Sequence, residues 1–276
     1  MVARRRKKRG NNLVLLVGLL LLVGMGTYLY YTGQLNLMPV AIAPADTAEW
    51  VKYEERLLPD IPDDDQLVIR NGYALAYDEP TEQASWVAYL LTPMEAQGKV
   101  RRMDNFRADD LIITGSATTD DYYRSGYDRG HLAPAGDMKW SEKAMDESFY
   151  MSNISPQLPG FNRDVWRELE EQTRKWVRAG DALYIVTGPV FKNGTSTYIG
   201  DNKVAIPSHY YKVLVDVTGP EYKAVGYIFE HEKTRKKPQD FMVTIDSVEG
   251  FTGLDFFPAL PDSVENFFES YDLFIN

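Results

Sequence analysis

From Gln66 onward, polar and apolar positions fall into short, regular runs. Residues 66–78 read as a strand, a turn at Asn71-Gly72 and a second strand, the pattern of a hairpin. Residues 85–93 (SWVAYLLTP) form a further apolar strand, and residues 104–121 are polar and loop-like. A short helix is predicted over 141–148 with Ser141 as its cap, followed by a strand over 149–155 (FYMSNIS). The clearest helix covers 162–178: Val165, Trp166, Leu169, Thr173, Trp176 and Val177 recur at helical spacing, and Gly180 stops it. Strands follow at 182–191, 209–217 and 224–230, then a basic loop over 233–237. A last strand and short helices close the chain through 241–253 and 263–274. Several strands mixed with a few helices make the class α+β.

The pattern before Gln66 is of another kind. Residues 13–31 (LVLLVGLLLLVGMGTYLYY) carry no charge and are long enough, as a helix, to cross a hydrocarbon core of about 30 Å. Six basic residues precede them, Arg4 to Arg6, Lys7, Lys8 and Arg9, and Tyr28, Tyr30 and Tyr31 suit the far interface. A cleaved signal peptide is the alternative. Its apolar stretch would be shorter, and Pro44 directly after Ala41 and Ala43 disfavours cleavage there. The expected organisation is a cytoplasmic basic tail (1–12), one transmembrane anchor (13–31), a proline-containing tether (32–65) and a domain (66–276) on the periplasmic or extracellular side of the cell membrane.

Charge and cysteine usage narrow the chemistry. The chain has 276 residues and a net charge of −10; outside the amino-terminal cluster it is more acidic still. An acidic body is unusual for a non-specific nucleic-acid binder, so such a function requires a local basic site. With no cysteine, disulfides and thiolate-held zinc or iron are excluded.

There are three histidines. His231 lies in a charged stretch (EHEKTRKK) and is expected to be solvated, while alternation makes His209 a sheet residue. His131 stands in Tyr127-Asp128-Arg129-Gly130-His131-Leu132-Ala133-Pro134. Its glycine neighbour lets backbone approach a ligand closely, and Arg129 offers a fork that matches phosphate oxygens. A neutral imidazole is the usual general base. Base and cation are what phosphodiester hydrolysis requires. On the helix, Asn162 occupies an N-cap position, at the mouth where the dipole favours phosphate. Glu170 lies about 80° around and about 12 Å along from it, too far to share one ion directly. Asn162 therefore reads as an inner metal ligand and Glu170 as one acting through water. A single neutral amide suits a hard, hydrated cation such as Mg²⁺.

Asp-Arg-Gly-His followed by Ala-Pro resembles the signature of the DNA/RNA non-specific endonucleases. Residues 149–157 (FYMSNISPQ), Asn162 with Trp166, Leu169 and Glu170, residues 187–189 (TGP), 207–212 (PSHYYK) and 249–257 are similar to further motifs of that family, in family order, from about Arg70 to about Pro261. The resemblance implies a ββα-metal core inside a larger, mainly antiparallel mixed sheet. It also implies a Mg²⁺-dependent endonuclease, with Mn²⁺ as substitute, that cuts DNA and RNA through water activated by His131 and leaves 5′-phosphates. Arg129, Glu170 and Arg102 are the expected catalytic companions of His131, Arg102 being chosen among Arg101, Arg102 and Arg107. Arg129, Asn153, Arg102 and Arg174 are the expected substrate contacts. An exposed ion pair with Glu170 is the competing reading of Arg174, and core packing is the reading for Trp166. A homodimer, a DNA-uptake nuclease of the same chemistry and a catalytically idle nucleic-acid-binding domain stay open as alternatives.

Overall fold

The computed structural model describes residues 57–260 apart from residues 193, 195, 196 and 219–222. All belong to the unit Ala43–Asn276. The basic tail, the expected anchor, most of the tether and the expected helix over 263–274 lie outside the described residues. Among those described, no helix is long and apolar enough to cross a membrane.

Strands β1 (Gln66–Ile69) and β2 (Ala74–Asp78) form the hairpin expected, closed by Arg70 N–H donating to the Tyr73 carbonyl at 2.8 Å. β3 (Gln83–Leu91) follows, and the chain then leaves the sheet. It returns as β6 (Leu183–Val190), all eight residues of which are buried, the pattern of a central strand covered on both faces. In between come β4 (Asp128–His131), helix α1 (Glu142–Glu147), β5 (Ile154–Gln157) and a helical stretch ending in α2 (Arg167–Ala179). β7 (Tyr198–Ile199) and β8 (Val204–Ala205) make a small ladder that no sequence run announced. β9 (His209–Asp216), β10 (Lys223–Glu230), β11 (Met242–Val243) and α3 (Ile245–Thr252) complete the described chain.

The large sheet has the order β1-β2-β3-β6-β9-β10-β11, with every neighbouring pair antiparallel. This is a mixed α+β fold with a mainly antiparallel sheet. Leu91 pairs directly with Leu183, so everything from Thr92 to Ala182 leaves and re-enters the sheet at one point. Leu169, Thr173 and Val177 of α2 recur every four residues and are buried. Leu169 and Val177, with Phe161, Val165 and Trp166, share a core with Leu75, Val87, Ile185, Leu214 and Val225 of the sheet.

β4 and β5 pair antiparallel, His131 opposite Ile154, and are fastened to the large sheet by polar contacts. The buried Ser155 hydroxyl lies 2.5 Å from Gln83 Oε1 on β3 and 2.7 Å from the Tyr210 hydroxyl on β9. β5 is shorter than the strand expected over 149–155, because Met151–Asn153 form a 3-10 turn. Met151 N–H donates to the Arg107 carbonyl and the Asn153 side chain bonds nearby backbone, so these groups have partners other than a ladder.

Candidate active site

Side chains alternate along a strand, so Arg129 and His131 of β4 share one face. Both line a cleft of about 320 Å³ together with Arg102, Pro134, Ala135, Gly136, Asn162, Arg163, Arg167, Glu170, Glu171 and Arg174. His131 is buried, its ring edge-on to Phe149 at 5.0 Å and Phe106 at 5.4 Å. Its Nε2 has no hydrogen-bond partner among the described residues. Burial pushes the imidazole down to about 3, with Arg102 and Arg129 adding to the effect, so the ring is neutral near pH 7.

Gly130 has another purpose than the one expected of it. A Cβ there would lie 2.2 Å from Gln157 Oε1, so the glycine admits the Gln157 side chain of the paired strand rather than a ligand.

The helix departs from its predicted start. It begins one turn earlier, with Pro159–Phe161, and Asn162–Trp166 then form a π-helical turn before α2. Asn162 has helical φ and ψ and is no N-cap; single π turns of this kind recur at functional sites. Its Nδ2 donates to Asp128 Oδ2 at 3.0 Å, and Asp128 also accepts two bonds from Arg163, at 2.8 and 2.5 Å. Asp128 thus fixes the amide of Asn162. Arg163 and Asn162 hold its own carboxyl below the ordinary value, against burial.

With Nδ2 engaged, the free end of Asn162 at the cleft is its carbonyl oxygen. Among the described residues, no three His, Asp or Glu side chains gather as a metal-binding cluster. An oxygen-only site made of one amide and a more distant carboxylate fits a hard cation that keeps its waters, and does not fit zinc.

Beneath the cleft lies a charged group that sequence reasoning described only in part. Arg174 is not an exposed partner of Glu170. Its side chain is mostly buried, Nη1 donates to Asp137 Oδ1 at 2.7 Å, and Glu170 stands off at 4.0 Å. Asp137, itself buried, accepts a second bond from the Tyr89 hydroxyl at 2.8 Å. Gly136 makes room for this arrangement, since a Cβ there would meet Arg174 Nη1 at 2.9 Å. Lys212 on β9 is buried with Nζ 4.6 Å from the centre of the Trp166 ring. Burial raises the Glu170 carboxyl, an effect that Lys212 and Arg174 oppose; burial lowers Lys212, opposed by Glu170 and Asp137. Neither Asp137 nor Lys212 was singled out beforehand. The available signal for Lys212 was a lysine directly before the apolar run Val213–Val215.

The remaining expected residues divide. Arg102 reaches the cleft, its guanidinium 4.9 Å from the Phe149 ring centre and its Nε 2.6 Å from Asp104. Arg107 instead pairs with Asp146 at 2.6 Å and lies over Tyr150, and Arg101 does not line the cleft. Asn153, expected at the substrate, is fully buried. Its amide donates to the carbonyls of Ala133 (3.0 Å) and Ser148 (2.9 Å) and accepts from Ala133 N–H (2.9 Å), so it pins the loop after His131 and has no face toward the cleft. Trp166 is fully buried, and His209 lies on β9 as read from alternation. His231 is half-buried rather than freely solvated: it accepts from Leu158 N–H at 2.7 Å, contacts the Pro207 carbonyl at 2.8 Å and packs on Phe161 and Tyr210.

Five arginines against two glutamates make the cleft basic in an acidic chain. Four of them have carboxylate partners: Arg102 with Asp104, Arg163 with Asp128, Arg167 with Glu171 and Arg174 with Asp137. Arg129 has none among the described residues and lies 4.2 Å over the Phe106 ring, available to an anion entering beside His131.

A sequence profile of the DNA/RNA non-specific endonuclease family matches residues 59–263. Human mitochondrial endonuclease G is 38% identical over 209 residues, which cover 71% of this chain and 70% of the human protein. A nuclease of Nostoc sp. is 32% identical over 219 residues, covering 75% of this chain and 78% of that protein. Among solved structures, a chain described under "Crystal structure of the EndoG/EndoGI complex: Mechanism of EndoG inhibition" superposes with a TM-score of 0.70 at 31% identity. That match covers 80% of this chain and 95% of the other.

Proposed function

The chain belongs to the DNA/RNA non-specific endonuclease family, and from that membership we propose that it cuts DNA and RNA at the cleft around His131, by Mg²⁺-assisted hydrolysis that leaves 5′-phosphates. The observation that carries the proposal is the His131 imidazole, kept neutral by burial, lining the same cleft as Asn162 and Arg129, the one cleft arginine without a carboxylate partner among the described residues. In this reading the scissile phosphate sits between Arg129 and Arg102, whose charges support its non-bridging oxygens. The His131 imidazole accepts a proton from water, which attacks phosphorus in line with the leaving 3′-oxygen. Asn162 Oδ1 would hold a divalent cation, with Glu170 reaching it through water, and that ion when bound would supply further positive charge at the transition state. Asp128 keeps that amide turned, and the Asp137–Arg174 pair steadies the base of the cleft. The succession β4, β5 and helix supports the ββα-metal reading of the core.

The test is turnover of supercoiled plasmid and of structured RNA by the full-length chain with Mg²⁺ or EDTA, beside His131→Ala. Loss of both cleavages on chelation, and a fall on the order of 10²–10⁴-fold in the variant, is expected. Unchanged cleavage by His131→Ala would sink the mechanism. Binding without turnover by the folded wild-type protein, in Mg²⁺ or Mn²⁺, would favour an idle binding domain.

We further propose that residues 13–31 anchor the chain in the cell membrane with the basic tail in the cytoplasm and the nuclease outside it. Extraction of the full chain from membranes by alkaline carbonate without detergent would exclude a spanning anchor.

A further inference from the structure

His231 lies outside the cleft, yet it ends a line of hydrogen bonds that leads to the amide at the cleft. Leu158 is the residue before the first helical turn and has no side-chain cap there. Its N–H donates to His231 Nε2 at 2.7 Å. Its carbonyl accepts from Asn162 N–H at 2.9 Å and from Phe161 N–H at 2.9 Å. On the other side of the imidazole, Nδ1 lies 2.8 Å from the Pro207 carbonyl, in the segment that leads into β9. A backbone N–H can only donate and a carbonyl can only accept, so this geometry fixes the tautomer: Nε2 is bare and Nδ1 carries the proton. The ring is held by Phe161 at 5.5 Å and Tyr210 at 5.1 Å, both edge-on. Burial keeps the group neutral, as that tautomer requires.

We infer that His231 is a positioning residue for Asn162: it clamps the Leu158 peptide between the lead into β9 and the helix start, and so sets the backbone from which the Asn162 amide reaches the cleft. Asp128 fixes the side-chain end of Asn162, and His231 fixes its main-chain end. The two supports act on different bonds, so loss of either alone leaves the amide oxygen poorly placed. This inference rests on the proposal that Asn162 holds the divalent cation. Outer partners that orient a metal ligand typically contribute 10–100-fold to metal affinity or activity.

The experiment compares His231→Phe, which keeps an aromatic ring against Phe161 and Tyr210 but removes both hydrogen bonds, with His231→Gln, whose amide offers one acceptor and one donor. Mn²⁺ binding to each full-length protein is titrated by electron paramagnetic resonance without nucleic acid, and kcat and KM are measured separately at saturating metal. His231→Phe should bind Mn²⁺ roughly 10–100-fold more weakly, with kcat lowered and KM for DNA little changed, and His231→Gln should recover most of the loss. Wild-type Mn²⁺ affinity and kcat in a His231→Phe protein with a cooperative melting transition would overturn the inference and reduce His231 to packing. Amide exchange of the wild type decides the case if that variant does not fold: the Leu158 and Asn162 amides must be protected, and rapid exchange of either overturns the clamp. A wild type that binds Mn²⁺ but turns over no nucleic acid would count against the nuclease reading, leaving the Mn²⁺ comparison to decide this one.

Discussion

His131 is a base whose free surroundings oppose its protonation: apolar rings on two sides and two guanidinium groups nearby. Its value of about 3 lies below the ordinary 6.5, so the ring stays neutral as pH falls through 6. In the free protein its NMR resonances should keep neutral shifts from pH 8 down to pH 5, with assignment simple among three histidines. A titration midpoint near 6.5 would show that burial and the arginines do not act on it. In the proposed reaction, an anionic phosphodiester would offset Arg102 and Arg129 and make the ring a better proton acceptor. Asn153 poses the opposite case, a motif residue without access to the cleft. Asn153→Ala removes three hydrogen bonds and strands buried backbone groups, a loss of about 2–4 kcal/mol in stability. A lowered melting temperature with unchanged KM is therefore expected, and a raised KM in a protein of wild-type stability would return Asn153 to the substrate. The tetrad around His131 stood out by its residue types, and Arg129 and His131 do line one cleft. Asn153 was misread because a motif position does not reveal whether an amide faces substrate or backbone. His231 was misread because charged neighbours in sequence say nothing of the aromatic side chains that meet it from elsewhere in the fold.

At the level of elements, the strands over 66–91 and 182–230 could be read from alternation and apolar runs. The π turn could not, since it alters the helix by ring size without a composition marker, and with it went the assignment of Asn162 as a cap. The loop after β4 is another element whose demands appear only in three dimensions. Gly136 has no unusual φ, so alanine is tolerated by the backbone, but its Cβ would press on the Arg174 guanidinium. Gly136→Ala should fold with nearly the wild-type melting temperature while Arg174 is displaced from Asp137. A misplacement of about 1 Å at this depth can cost on the order of 10²-fold in rate. Full activity in this variant would mean that the Asp137–Arg174 pair is merely structural.

Across the whole molecule the charges are arranged against the chain's own composition. A net charge of −10 predicted poor binding of nucleic acid, and the answer lay in gathering arginines from 102, 129, 163, 167 and 174 into one cleft. That assembly is tertiary and could not be read from sequence. If two to four phosphates are neutralised there, kcat/KM should fall with salt with a log–log slope of about −2 to −4. A slope near zero would mean that the cleft arginines serve their carboxylate partners alone. The order of the strands was equally hidden, because β3 and β6 are neighbours in the sheet but far apart in the chain. Leu91 and Leu183 stand side by side, and every cleft residue is encoded between them. The segment that supplies the cleft is thus a cassette with both ends on one rung of a ladder. It could be replaced as a block while β3 and β6 remain partners, provided the new block offers Lys212 and His231 something to hold.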